Sequence, residues 1–160
     1  MISFHSEDIV FNLKNKTKLK CWVVSTVEKN PARAAGSIRA RKKSGDISFV
    51  FCSDAFLLEM NKEYLNHDTY TDIITFDYSQ SEEGQFPLKK GARGISGDIF
   101  ISIDRVKENA NKFSKTFEDE LHRVMIHGVL HLLGYKDKIK SAKAEIRKQE
   151  DICLKALKKL

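Results

Sequence analysis

The stretch His127-Gly128-Val129-Leu130-His131-Leu132-Leu133-Gly134-Tyr135-Lys136-Asp137 sets two imidazoles one helical turn apart in an otherwise apolar run. Residues i and i+4 share a face of an α-helix, so His127 and His131 can point ring nitrogens at one place. From Val124 to Leu133 the run is apolar nearly all round, which reads as a buried helix, and imidazoles placed there need partners to offset lost hydration. One metal ion satisfies both; two core histidines bonded to carbonyls are the plainer alternative. Gly134 stands where a helix ending on a left-handed residue takes glycine, and the return it permits delivers Asp137. Two His and one carboxylate, with a fourth position for water, is the usual composition of a hydrolytic zinc centre.

The rest of the chain supplies a scaffold for such a helix. Ile2–Phe4 and Ile9–Phe11 are short apolar stretches that supply a first strand. Lys16–Asn30 follows as a helix, with Leu19, Trp22, Val23, Val24 and Val27 at near-helical spacing and Pro31 closing the run. Trp22 reads as core. Ile47–Cys52 is a β-rich run, and Ser53 or Asp54 caps a helix over Ala55–Leu65. Ile73–Tyr78 and Gly97–Ile103 are two more strands, separated by a Ser, Glu, Gly and Lys-rich loop, Ser79–Gly94, long enough to serve as a lid or an RNA contact. Asp104 is placed to cap a helix reaching Phe113. Thr116 with Asp119 resembles a capping box for a helix over Phe117–Leu133, and its first turn carries Glu118, Asp119 and Glu120. Ser141–Leu160 is an amphipathic helix whose apolar positions are Ala144, Ile146, Ile152, Leu154, Leu157 and Leu160. Four strands interleaved with five helices place the chain in the α/β (α+β) class, as one domain over residues 1–160.

Composition narrows the function classes. No apolar run reaches the eighteen or so residues needed to span a bilayer, and the N-terminus lacks a basic start followed by an apolar stretch, so a cytoplasmic location with no membrane partner is expected. Cys21, Cys52 and Cys153 show no C-x-x-C spacing and read as reduced core thiols. The net charge of +6 favours an anionic partner such as nucleic acid. Arg33, Arg39, Arg41, Lys42 and Lys43 form one basic cluster, and Lys89, Lys90 and Arg93 another. Either can follow a phosphate backbone or simply be a solvated surface.

A catalytic zinc lowers the pKa of water towards 7, which arms it against a carbonyl or a phosphodiester. Peptidases of the H-E-x-x-H type carry Glu beside the first His as general base; here that position is Gly128. A phosphodiester target agrees better with the basic balance. The pattern H-G-V-L-H-L-L-G-Y, together with Met60-Asn61 and Tyr64, Thr71-Asp72-Ile73-Ile74-Thr75-Phe76 and Gly97-Asp98-Ile99-Phe100-Ile101-Ser102, resembles the bacterial YbeY-type endoribonucleases over most of the chain. The resemblance implies a small mixed sheet with the metal site on a buried helix. It further implies a single-strand-specific, metal-dependent endoribonuclease in ribosomal RNA maturation (16S 3′ end processing) and ribosome quality control. RNA and the small ribosomal subunit are then the expected partners, and DNA is not expected.

Two positions depart from the family pattern. A third ligand His would fall at Asp137, so the expected metal set is His127, His131 and Asp137 around one divalent ion, zinc by preference, with metal-activated water as the catalytic group. Where the family usually has Arg after the tyrosine matched by Tyr64, this chain has Leu65, and Arg93, Arg123 or a nearby Lys is the expected substitute for substrate binding. The alternative classes are a non-catalytic small-subunit assembly factor with a structural metal, and a metallohydrolase of peptides or small molecules. His122, five residues before His127, falls well round the helix and reads as a boundary residue. His5 and His67 have no companion at ligand spacing. Asp72 and Asp98 are candidate acceptors for the ligand imidazoles, though carboxylates so placed more often close turns.

Overall fold

The computed structural model describes residues 1–30, 43–78 and 94–160. In chain order the elements are β1 (Ile2–Ser6), α1 (Lys16–Lys29), β2 (Ser44–Cys52), α2 (Asp54–Leu65), β3 (Ile73–Asp77), β4 (Ile95–Ser102), α3 (Ile103–Lys112), α4 (Phe117–Leu132) and α5 (Lys140–Lys158). The strands form one mixed sheet in the order β1-β2-β4-β3. β1 and β4 run parallel to β2 on either side of it, and β3 lies antiparallel along β4. Arg33, Arg39, Arg41, Lys42, Lys89, Lys90 and Arg93, and most of the Ser79–Gly94 loop, lie outside the described residues.

The two faces of the sheet are written by the period-2 alternation of its strands. Ile47, Phe49 and Phe51 of β2 and Ile95, Ile99 and Ile101 of β4 point into the main core. There they meet Leu19, Trp22, Val23 and Val27 of α1, Leu121, Met125, Ile126 and Val129 of α4, and Ile146, Cys153 and Leu157 of α5. The opposite face carries a smaller cluster in which Cys52, Leu57 and Ile74 are joined by Phe56, Met60, Phe76 and Phe100, so α2 covers this side. Trp22 is core, 1% exposed, and its indole Nε1 donates to the Cys153 carbonyl at 2.8 Å, tying α1 to α5.

Local chemistry corrects several expectations. Ile9 and Phe11 do not extend a strand. Phe11 instead packs on Phe51 with ring centroids 4.9 Å apart and on Phe117 at 6.0 Å, so side-chain burial takes this segment where backbone pairing was expected. The helix α3 is capped by Ser102, whose hydroxyl accepts from the Arg105 amide at 3.1 Å, while the Asp104 carboxylate accepts from the Asp54 amide at 2.9 Å. Cys52 and Cys153 are buried thiols, but Cys21 is exposed on α1. The buried stripe of α5 is Ile146, Glu150, Cys153 and Leu157; Ile152 and Leu160 face solvent, 50% and 62% exposed.

Candidate metal centre

Helix α4 is fixed at both ends by its own sequence. The Thr116 hydroxyl accepts from the Asp119 amide at 3.0 Å, and Glu118, Asp119 and Glu120 sit at the positive end of the helix dipole. At the far end Gly134 takes φ +93°. Its amide bonds the His131 carbonyl at 2.9 Å and the Tyr135 amide bonds the Leu130 carbonyl at 3.0 Å, the paired bonds of a Schellman cap. The G-Y pair thus has a mechanical purpose. The glycine reverses the chain, and Tyr135 is buried with its hydroxyl donating to Asn30 Oδ1 at 3.0 Å. Its carbonyl returns to His131.

Between the two histidines, Gly128 faces the sheet. A Cβ there would lie 2.7 Å from Ile99 Cγ2 and 2.9 Å from Ile73 Cδ1, closer than packed carbons approach. Glycine lets the helix sit against β3 and β4, and the position beside His127 has no room for a glutamate. Gly97 is equally constrained, since a Cβ would come within 2.3 Å of the Phe76 carbonyl oxygen.

The ligand tautomers follow from the partners. His131 Nδ1 lies 3.0 Å from the Tyr135 carbonyl oxygen, which only accepts, so Nδ1 carries the hydrogen and Nε2 keeps its lone pair. His127 Nδ1 lies 2.7 Å from Glu150 Oε1. The Glu150 carboxyl is buried, which opposes ionisation, but hydrogen bonds from His127 and Arg123 outweigh burial and hold its pKa below the ordinary value. It therefore accepts from His127 Nδ1–H. The two Nε2 atoms face one another at 2.9 Å, and Asp137 Oδ2 stands 3.5 Å from each.

Three electron-rich atoms so arranged repel unless a positive charge lies among them. Donors bound to one tetrahedral zinc by bonds of about 2.0–2.1 Å sit roughly 3.3 Å apart. The observed spacings of 2.9 and 3.5 Å bracket that value, and two nitrogens with one carboxylate oxygen is a donor set zinc accepts. Among the described residues, His127, His131 and Asp137 are the group of side chains able to hold an ion in this way. Burial pulls the His127 pKa down, but the hydrogen bond and charge of Glu150, with Asp137 and Asp72 beyond, carry it above the ordinary value. Burial and then the His127 charge lower that of His131.

The site opens into a cleft of about 610 Å³ lined on one side by Leu65, Thr71, Asp72, Thr75 and Asp77 and on the other by the histidines, Lys136, Asp137 and Lys138. Burial pushes the Asp72 carboxyl above its usual range; the Asn109 amide nitrogen lies 3.4 Å from its Oδ2. The Thr75 hydroxyl is buried with no partner among the described residues.

Other side chains singled out in the sequence fall elsewhere. Arg123 is not among the residues lining the cleft. Its Nη1 pairs with Glu150 at 2.8 Å and its Nη2 with Asp151 at 3.0 Å. Arg93 lies outside the described residues. Asp98 accepts from the Tyr78 hydroxyl at 2.8 Å. His122 packs edge-on against Trp22, and His5 and His67 are exposed. Glu150 was not anticipated from the sequence. Its signal was there: it interrupts the apolar stripe Ile146, Cys153, Leu157 at helical spacing, and a carboxylate in such a stripe needs a cationic or hydrogen-bonding partner.

Comparison with known proteins adds an independent line. The family model described as endoribonuclease YbeY matches residues 5–158. The endoribonuclease YbeY of Flavobacterium psychrophilum is 46% identical over 155 residues, covering 97% of this chain and 95% of the relative. That of Cytophaga hutchinsonii is 42% identical, covering 96% and 93%. The solution structure of a Thermotoga maritima protein, 24% identical, superposes with a TM-score of 0.52 over 98% of this chain and 89% of that one, and shares its fold.

Proposed function

The chain belongs to the endoribonuclease YbeY family, and from that membership we propose that it is a metal-dependent hydrolase of single-stranded RNA with His127, His131 and Asp137 as its metal ligands. The observation that carries the reading is the convergence of His127 Nε2, His131 Nε2 and Asp137 Oδ2 on one point at the wall of an open cleft. A divalent cation held there, zinc by its donor set, supplies Lewis acidity towards water and towards a phosphoryl oxygen. The protein's own groups do the rest. Glu150 and the Tyr135 carbonyl aim the imidazoles. Lys136 and Lys138, exposed at the cleft, offer cations to a phosphate backbone that Asp72 and Asp77 would otherwise repel.

The substrate in this reading is ribosomal RNA, processed at the 16S 3′ end on the small subunit and in its quality control, with action in the cytoplasm. The basic balance of the chain supports an RNA partner, and no helix among the described residues is long and apolar enough to cross a membrane. The lack of room beside His127 for a glutamate counts against a peptidase. Leu65, 45% exposed at the cleft where the family pattern has Arg, favours the second reading, an assembly factor whose metal is structural.

One experiment separates them. Cleavage of a single-stranded RNA is expected to stop on chelation, to return with zinc, and to vanish in His127→Ala. Elemental analysis is expected to find the ion lost from His131→Ala and Asp137→Ala. Full metal occupancy in both variants overturns the ligand set; metal bound by the wild type without RNA cleavage leaves the assembly factor.

A further inference from the structure

Glu150 is the most confined charged side chain at this site. It is 3% exposed, reaches α4 from α5, and divides its oxygens between His127 and a pair of arginines. Oε1 faces His127 Nδ1 at 2.7 Å. Oε2 faces Arg123 Nη1 at 2.8 Å and Arg147 Nη1 at 3.5 Å. His131 is held differently, by a main-chain carbonyl that Gly134 returns to it. One imidazole is thus oriented by backbone that no substitution deletes, and the other by a side chain on a separate helix.

We propose that Glu150 and Arg123 form a positioning relay that fixes His127 as the Nδ1–H tautomer, with its Nε2 lone pair aimed at the metal position. Arg123, expected as a substitute for the arginine missing after Tyr64, acts on the site through Glu150. The inference rests on the metal reading above. The chemistry of the acceptor explains why a carboxylate is needed. All of these partners are donors, and an ionised carboxylate presents one oxygen to the imidazole and the other to the arginines. An amide of the same shape has one oxygen and one N–H₂. With Arg123 holding the oxygen, the N–H₂ meets His127 Nδ1, which must then accept, and the ring proton moves to Nε2. That proton occupies the place of the metal bond. A bound carboxylate also raises the basicity of the imidazole as a ligand.

The test compares zinc affinity, measured by competition with a chromophoric chelator, in the wild type, Glu150→Gln, Arg123→Met and Asp151→Asn. Imidazole ¹⁵N shifts of the metal-free proteins report the tautomer. Glu150→Gln is expected to lose about 10–100-fold in affinity and to shift His127 towards Nε2–H. Arg123→Met is expected to lose less, since Arg147 still faces Glu150, and Asp151→Asn to bind as the wild type. If Glu150 were only a structural ion pair, the melting temperature would fall in Glu150→Gln while affinity and tautomer stayed put, which overturns the relay. Should Glu150→Gln not fold, Arg123→Met decides alone: weakened binding supports the relay and unchanged binding overturns it. A wild type that binds no zinc overturns the metal reading itself, a separate failure.

Discussion

At the scale of single residues, environment rather than residue type decides what each titratable group does. His122 and His127 share a helix, yet burial lowers the pKa of His122 while the Glu150 carboxylate overrides burial for His127. His122 packs against Trp22, with Glu118, Asp119 and Lys18 the charges near it. Since its folded pKa lies below the unfolded value of about 6.5, the unfolded chain binds the extra proton between the two. Its contribution to stability is complete above the unfolded pKa and is lost as pH falls towards the folded one. Urea denaturation at pH 7.5 and 5.5 is expected to show a drop in stability that is smaller in His122→Gln; an identical drop in both proteins would assign the effect to other groups. The residue scale is also where the sequence is least transparent. The i, i+4 spacing announces His127 and His131 because helix geometry alone brings them together. Glu150 and Arg123 meet only after α5 folds across α4: the carboxylate shows in the sequence as a break in an apolar stripe, but nothing local names its partners.

Elements were legible to the extent that one face of each meets the core. The periodicity of α1 and α4 survives into the structure within one residue, while β2 begins at Ser44, three residues before the β-rich run that marks it. The Ile9–Phe11 segment, apolar enough for a strand, was claimed by aromatic packing instead. The α3 cap went to Ser102 over Asp104, because the Asp104 carboxylate is engaged by the first residue of α2. Asp137 was readable through the turn that precedes it and through the family pattern, whose third ligand falls there. Gly134→Ala forces an L-residue into the left-handed region, at a cost of about 1–2 kcal/mol. That loss is expected in urea denaturation of metal-free protein. The variant is also expected to bind zinc less tightly, because the Tyr135 carbonyl and Asp137 both depend on the same reversal. Unchanged stability would show that the cap tolerates alanine.

For the whole molecule, the site is a clasp between separately placed elements. Its ligands come from α4 and the turn beyond, and the carboxylate that steadies one of them comes from α5. An ion bound to the folded form alone stabilises it by about 4 kcal/mol at a free concentration 1,000 times Kd. In a domain of this size that raises Tm by about 8–16 °C. Calorimetry with buffered zinc is expected to show a concentration-dependent rise that chelator reverses and that His127→Ala lacks. A Tm indifferent to zinc would argue against a site preformed in the fold.

The glycine wedged beneath the paired histidines also limits where this scaffold can go. Acquiring a peptidase-style carboxylate next to the first ligand would demand that Ile99 and Ile73 be carved back in the same lineage, so single-step drift towards proteolysis is sterically closed. Chemistry on this frame can therefore diversify more readily through the cleft's opposite wall and its rim than from the helix that bears the ligands.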